Sequence, residues 1–275
     1  MRRSRILYVT DLHYAAKGRE YRDEDLLVTH WLGARVDLAL CHPSTAEALM
    51  YDFDAVVVRN SGPVIHYRQA YDSFRAAAVA AGVRVFNELT GKADMVGKQY
   101  LVDLSATGAP VIPTVDDAAA VSGLPDVQRY ISKPKFGSDS IGMATHSRSE
   151  LGDLALDGTL LVQPLIEFVH EVSFYVVGDE LQYALHAPDP ARRWELQPFE
   201  PSVADRVFAM TFIEWNDIRF GIQRVDACRT TDGDLLLMEL EDLNPYLSLD
   251  VVDTTTRDRF LATMHRSIEA LIASS

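Results

Sequence analysis

The chain has 275 residues, 48% of them hydrophobic and 24% charged, with a formal net charge of −14. That composition is globular, and its acidity argues against a dedicated nucleic-acid binder, which shows a basic face. A nucleotide site stays open, since a few local lysines and metal ions hold phosphates on an acidic protein. Cys41 and Cys228 lie far apart and imply neither metal-ligand spacing nor a disulfide framework. No apolar run approaches the ~20 residues of a membrane helix. The start Met1-Arg2-Arg3-Ser4 runs directly into a short strand, without the apolar core of a signal peptide. A soluble, cytoplasmic protein with no membrane and no nucleic-acid partner is expected.

The first third alternates short β-rich runs with helical patterns: strands over 6–10, 36–41, 54–59 and 83–86, helices over 25–32 and 67–81, the second closed by Gly82. This alternation predicts a parallel sheet covered by helices. Residues 94–106 read as helix, ended by Gly108, and Pro110 and Pro113 bracket a short extended piece. Strands 130–133 and 160–163 follow on either side of a Gly/Ser loop. From Val172 onward strands are adjacent in sequence, at 172–177, 180–186, 220–228 and 234–241, with hairpin turns at Gly178-Asp179 and Asp232-Gly233. Helices over 202–217 and 257–273 complete a pattern that is α/β in front and α+β behind.

Three segments carry chemistry. In Arg224-Val225-Asp226 and Met238-Glu239-Leu240-Glu241, two strands joined by a turn bring Asp226 opposite the Glu239 region. Side chains alternate along a strand, so Asp226, Glu239, Glu241 and Arg224 converge on one face. Hard oxygen ligands of this kind suit Mg²⁺, which is usually held by one or two carboxylates plus substrate phosphates; a solvated acidic sheet face is the plainer reading, but the leucines around the acids weigh against it. Lys133 ends an apolar strand before a small-residue loop, Phe136-Gly137-Ser138-Asp139-Ser140-Ile141, where charge and bare backbone N–H groups suit a phosphate. There is no Walker A loop. Lys98, in Gly97-Lys98-Gln99-Tyr100, is by itself an ordinary helix lysine.

In this order, Lys98, Lys133 with its loop, Gln163-Pro164-Leu165-Ile166, Arg224-Val225-Asp226 and Glu239-Leu240-Glu241 resemble the ATP-grasp superfamily of carboxylate–amine ligases over about residues 87–249. The resemblance implies an ATP-grasp fold of three lobes, divided at about 1–88, 89–165 and 166–275, with a Rossmann-like first lobe and ATP between the other two. It implies that Lys98 and Lys133 contact ATP phosphates and that Phe136, Gly137, Ser138 and Ser140 belong to a lid over them. Gln163, Pro164, Leu165 and Ile166 would form the hinge beside adenine, with Glu171 near the ribose. Asp226, Glu239 and Glu241 would hold two Mg²⁺ ions, and Arg224, with Lys133, would stabilise the transferring phosphoryl group. The first lobe, through Asp11, Arg59, Asn60 and Ser61, would contribute specificity for a carboxylate or amine substrate.

Most of the superfamily has Asn where this chain has Glu241. The Glu-Leu-Glu form resembles the branch containing the cycloserine-forming cyclo-ligase, as do Asp23-Glu24-Asp25 and Val56-Val57-Val58-Arg59. Gly62-Pro63-Val64 stands where that branch often has Trp-Asp-Tyr, and Val172 where Arg follows the ribose glutamate. Both departures fall where substrate is expected, so that branch's substrate is not carried over. The expected activity is ATP-dependent C–N bond formation through an acyl-phosphate on an amino acid or small derivative, in the biosynthesis of a specialised product. Ring closure, a kinase, a nucleotide-binding module without catalysis and a homodimer stay open. Position 174 is Phe, so His170-Glu171 is no zincin motif. Asp11-Leu12-His13 resembles a metallophosphatase opening without its later histidines. Arg192-Arg193-Trp194-Glu195 either grips an anion at the site mouth or is a solvated loop.

Overall fold

The computed structural model describes residues 2–14, 21–59, 64–137 and 141–274. It begins with β1 (Arg5–Val9), α1 (Tyr21–Gly33), β2 (Asp37–Cys41), the single turn α2 (Ala46–Leu49), β3 (Ala55–Val58), α3 (Arg68–Ala81) and β4 (Val85–Phe86). The four strands form a parallel sheet in the order β2-β1-β3-β4. Ala55 to Val58 are all buried, as a strand covered on both faces requires. Gly82 ends α3 in the left-handed region at φ 65°, donating its N–H to Ala78 O, so glycine is needed there.

Next come α4 (Gln99–Ala106), β5 (Val115–Asp117), β6 (Tyr130–Pro134), β7 (Ala144–His146) and β8 (Asp157–Pro164). The strands make an antiparallel sheet ordered β5-β8-β6-β7. A third sheet, also antiparallel, is built from β9 (Phe168–Val177), β10 (Glu180–Ala187), β11 (Gln197–Phe199), β12 (Ile222–Thr230) and β13 (Leu235–Glu241) in the order β11-β10-β9-β12-β13. Val111, between the two prolines, bridges Leu237 in parallel and extends its edge. The helix α5 (Val203–Asn216) opens with a capping box, Ser202 with Asp205, and α6 (Thr254–Ala273) ends the fold.

The cores do not follow sequence order. One joins Ile6, Tyr8, Val28 and Leu32 to Tyr175, Leu185, Phe260 and Met264, so the last helix shares a core with the first sheet. Another packs Tyr100, Leu101 and Val111 against Phe174, Val225 and Leu240; residues counted with the middle lobe from sequence thus belong to the core of the third sheet. The β5–β8 sheet keeps a small core of its own, Leu124, Tyr130, Leu151 and Val162. Two expectations of extent are corrected. Helix α1 begins at Tyr21, before Asp25, and α4 begins at Gln99 rather than Asp94, because Gly97 takes φ 99°, which no helix residue adopts. Among the described residues no helix is long and apolar enough to cross a membrane.

Candidate functional site

The β12–β13 ladder pairs Arg224 with Glu241 and Asp226 with Glu239, placing all four where strand alternation expected them. Just beyond, the register slips: Asp226 faces Glu239 while Ala227 faces Leu237, a bulge at Met238. Met238 and Glu239 consequently both line the neighbouring cleft. Arg224 organises the patch. Its Nη2 lies 2.7 Å from Asp226 Oδ2 and 2.5 Å from Glu241 Oε1, and its Nη1 donates to Tyr246 O at 2.9 Å. The Tyr175 ring lies beneath, 6.0 Å from the guanidinium carbon, and Ser173 Oγ donates to Asp226 Oδ1 at 2.6 Å. Burial opposes the charge on Arg224, but the two carboxylates outweigh it and keep its pKa well above the ordinary value. Burial pushes the Glu241 carboxyl up to about 7 against the pull of Arg224. The acids do not converge as a ready ligand set: among the described residues no group of three or more His, Cys, Asp or Glu is arranged to hold a metal. The cause is plain, since Arg224 stands between Asp226 and Glu241 while Lys98 occupies Glu239.

Lys98 caps the start of α4, buried, with Nζ on Glu239 and 2.8 Å from Asp94 Oδ2. Its backbone N–H donates to Lys135 O at 2.9 Å, which ties the α4 turn to the end of β6. The side chain of Lys133, on β6, has no hydrogen bond or ion pair among the described residues. Burial, then the nearby Lys98 and Arg193 charges, lower its pKa from 10.5 to about 7, with Asp94 opposing. Both lysines line a cleft of about 180 Å³ between the second and third sheets. Ile112, Ile131, Ile141 and Met143 give it apolar walls, and all of Gln163, Pro164, Leu165 and Ile166 border it. Gln163 is fixed by its Nε2 donating to Thr114 Oγ1 at 2.8 Å. Glu171 also lines the cleft, 2.5 Å from Arg193 Nε, its pKa raised by burial against the pull of that arginine. Of the Arg192–Glu195 segment, Arg193 lines this cleft, half-exposed and paired with Glu171, whereas Arg192 pairs with Asp189 and Glu195 outside it.

Other expected residues stand elsewhere. Gly137 reaches the cleft, but the Phe136 ring does not line it; it packs against Gly97 with Arg68 above. Arg59 is not free to meet a substrate. It is 5% exposed, with Nη2 3.0 Å from Glu24, Nε 3.3 Å from Asp25 and Nη1 donating to Pro245 O at 2.9 Å. A cation buried this deeply needs its counter-charges, and here it joins α1 to the loop after β13. Asp11, also buried, accepts from Tyr67 OH and, at 2.8 Å, from His13 N. Asn60, Ser61, Ser138 and Ser140 lie outside the described residues. Sequence reasoning passed over Asp242, which is 0% exposed and accepts from Met95 N at 2.7 Å, Ala93 N at 3.1 Å and Asn216 Nδ2 at 3.1 Å. It pins to β13 the turn that leads to Lys98. A third acid beside a Glu-Leu-Glu pair carries no signal of its own.

These features define a cleft between two antiparallel sheets, and the fold that does this here is the ATP-grasp fold. The chain resembles solved structures of that fold along nearly its whole length. Against D-cycloserine synthetase DcsG the TM-score is 0.72 at 22% identity, covering 96% of this chain and 99% of the other. Against the ATP-grasp ligase PsnB, complexed with a phosphomimetic variant of its minimal precursor, Mg and ADP, it is 0.66 at 15% identity, covering 98% and 100%. Against D-alanine–D-alanine ligase from Bacillus anthracis, complexed with ATP, it is 0.66 at 10% identity, covering 98% and 97%. No protein-family profile matches the sequence, and no curated protein matches it.

Proposed function

We propose that the chain is an ATP-dependent carboxylate–amine ligase acting on an amino acid or small amino-acid derivative. The observation that carries this reading is Lys133, a half-buried amine whose side chain has no counter-ion among the described residues. With Lys98 it faces a cleft whose far wall holds Glu239 of the Arg224–Asp226–Glu241 patch. A polyphosphate supplies the missing charge for Lys133, and the apolar wall near Gln163–Ile166 suits a flat base. Asp226 and Glu239, with Glu241 beside them, are a hard-oxygen set fitting Mg²⁺, which needs only one or two carboxylates when phosphates complete its shell. Two ions would be held there by Asp226, Glu239 and Glu241. When bound, Mg²⁺ neutralises charge building on the phosphate oxygens.

In this reading the γ-phosphoryl passes to a substrate carboxylate, and an amine then displaces phosphate from the acyl-phosphate. Arg224, fixed by two carboxylates and a carbonyl, is preorganised for negative charge that appears only in the transition state. Lys98, which now rests on Glu239, would be free to turn toward phosphate if that carboxylate held a metal instead. Asp11, with Tyr67, faces the substrate from the carboxyl end of β1, next to the point where strand order reverses in the first sheet. The likeness to ATP-grasp ligases agrees with this chemistry.

ADP and phosphate release from ATP–Mg²⁺ against pools of amino acids and derivatives, with mass spectrometry of active pools, tests it. A product lighter than its reactants by one water establishes ligation; if one substrate alone loses that water, the reaction is ring closure. A stable phosphorylated product without free phosphate identifies a kinase. Tight ATP binding with no stimulated release in any pool points to a binding module and overturns the proposal.

A further inference from the structure

Phe136 lies two residues past the end of β6, three residues after Lys133, yet its ring does not line the cleft. At Gly97, one residue before Lys98, an added Cβ would stand 2.5 Å from Phe136 Cε1 and 2.8 Å from its Cδ1. The ring therefore rests on the bare backbone of that glycine. Over the ring the Arg68 guanidinium carbon lies 4.2 Å from the centroid, a cation–π distance, and Arg68 Nε is held by Asp72 Oδ2 at 2.8 Å. Arg68 is the first residue of α3, so the contact reaches from the first sheet's helices to the end of β6. Around it, Lys98 N–H donates to Lys135 O at 2.9 Å, while Lys135 Nζ meets Asp116 at 2.6 Å and also Gln99.

We propose that Phe136 is a positioning residue: seated in the Gly97 notch under Arg68, its ring locks the end of β6 onto the turn bearing Lys98. The lock makes Lys98 and Lys133 one rigid anion seat and joins that seat to the lobe where substrate is expected. Phe136 is 50% exposed, so its core contribution is small and its removal leaves the fold intact. Its role in catalysis rests on the ATP reading above, but the lock itself does not.

Two measurements separate them. Hydrogen exchange at the Lys98 amide, in the nucleotide-free protein, rises about tenfold in Phe136→Ala and stays within about twofold in Phe136→Tyr, which keeps the ring. Equilibrium binding of ATP–Mg²⁺ weakens about tenfold in Phe136→Ala and is restored by Phe136→Tyr; Arg68→Met weakens it about two- to fivefold. In the double variant Arg68→Met adds nothing to Phe136→Ala, because both remove one contact. If the wild-type protein fails to bind ATP–Mg²⁺ while exchange responds as stated, the lock stands and the ATP reading falls. If ATP–Mg²⁺ binds but Phe136→Ala changes neither exchange nor affinity, or the two substitutions add fully, the lock is overturned.

Discussion

Lys133 and Arg224 are both half-buried cations, in opposite circumstances. Arg224 has its counter-ions built in, whereas Lys133 sits beside Lys98 and Arg193 with its pKa lowered to about 7. An anion arriving at Lys133 restores the proton that burial removed. Binding of ATP therefore takes up protons, approaching one at about pH 8 and vanishing well below pH 7. Calorimetry in two buffers of different ionisation enthalpy reads this directly, and Lys133→Met abolishes the uptake and weakens binding about 10- to 100-fold. Arg224→Lys keeps a charge but loses the fork that spans Asp226, Glu241 and Tyr246 O. It is expected to lower kcat about 10²- to 10³-fold with a smaller change in KM, measured by steady-state kinetics. The resemblance picked out both residues, because Arg-x-Asp and a strand-ending lysine are local patterns. That the Lys133 side chain lacks a partner among the described residues was not legible, since it depends on which side chains fold in from α4 and the segment before β11.

The β12–β13 hairpin is the element on which the site depends. Strand alternation and a two-residue turn were enough to place Arg224, Asp226, Glu239 and Glu241 on one face. The bulge at Met238 was not foreseeable, because nothing in a Leu-rich run marks where two residues will oppose one. Three-residue strands such as β5, β7 and β11 also escaped notice, being too short to show a period. Asp242, at the hairpin's end, ties it to the 93–95 turn by accepting N–H donors on both oxygens. Asp242→Asn turns one acceptor into a donor facing donors. That should lower stability by about 1–3 kcal/mol in denaturant unfolding, and reduce ATP affinity through the displaced Lys98. An unchanged unfolding midpoint would show that the network carries no such weight.

Over the whole molecule, long-range packing was the least legible feature. Strand–helix alternation announced the first sheet, but nothing local says that α6 completes its core or that Glu24, Asp25 and Arg59 form a buried ion cluster. The cluster reassigns Arg59 from substrate recognition to holding α1 on the loop after β13. Its consequence is a dependence of stability on pH. Burial, opposed by Arg59, raises Glu24 to about 7, and burial likewise raises Glu241 to about 7 and Asp242 to about 6. Carboxyls raised on folding contribute stability below their unfolded pKa and lose it as pH rises through the folded value. Lys133, lowered on folding, restores stability only between about 7 and its ordinary 10.5. The unfolding free energy should therefore fall from about pH 4.5 to pH 7 and recover on the alkaline side, as denaturant titrations across pH would show.

The central claim, that a substrate carboxylate receives the γ-phosphoryl before an amine displaces it, is tested most directly by oxygen transfer. A pool of amino acids and derivatives carrying ¹⁸O in their carboxylates would be incubated with the protein and ATP–Mg²⁺, and the released phosphate analysed by mass. An acyl-phosphate pathway moves one carboxylate oxygen to each phosphate, so phosphate heavier by a single ¹⁸O is expected. Phosphate released in step with product but free of label would contradict it.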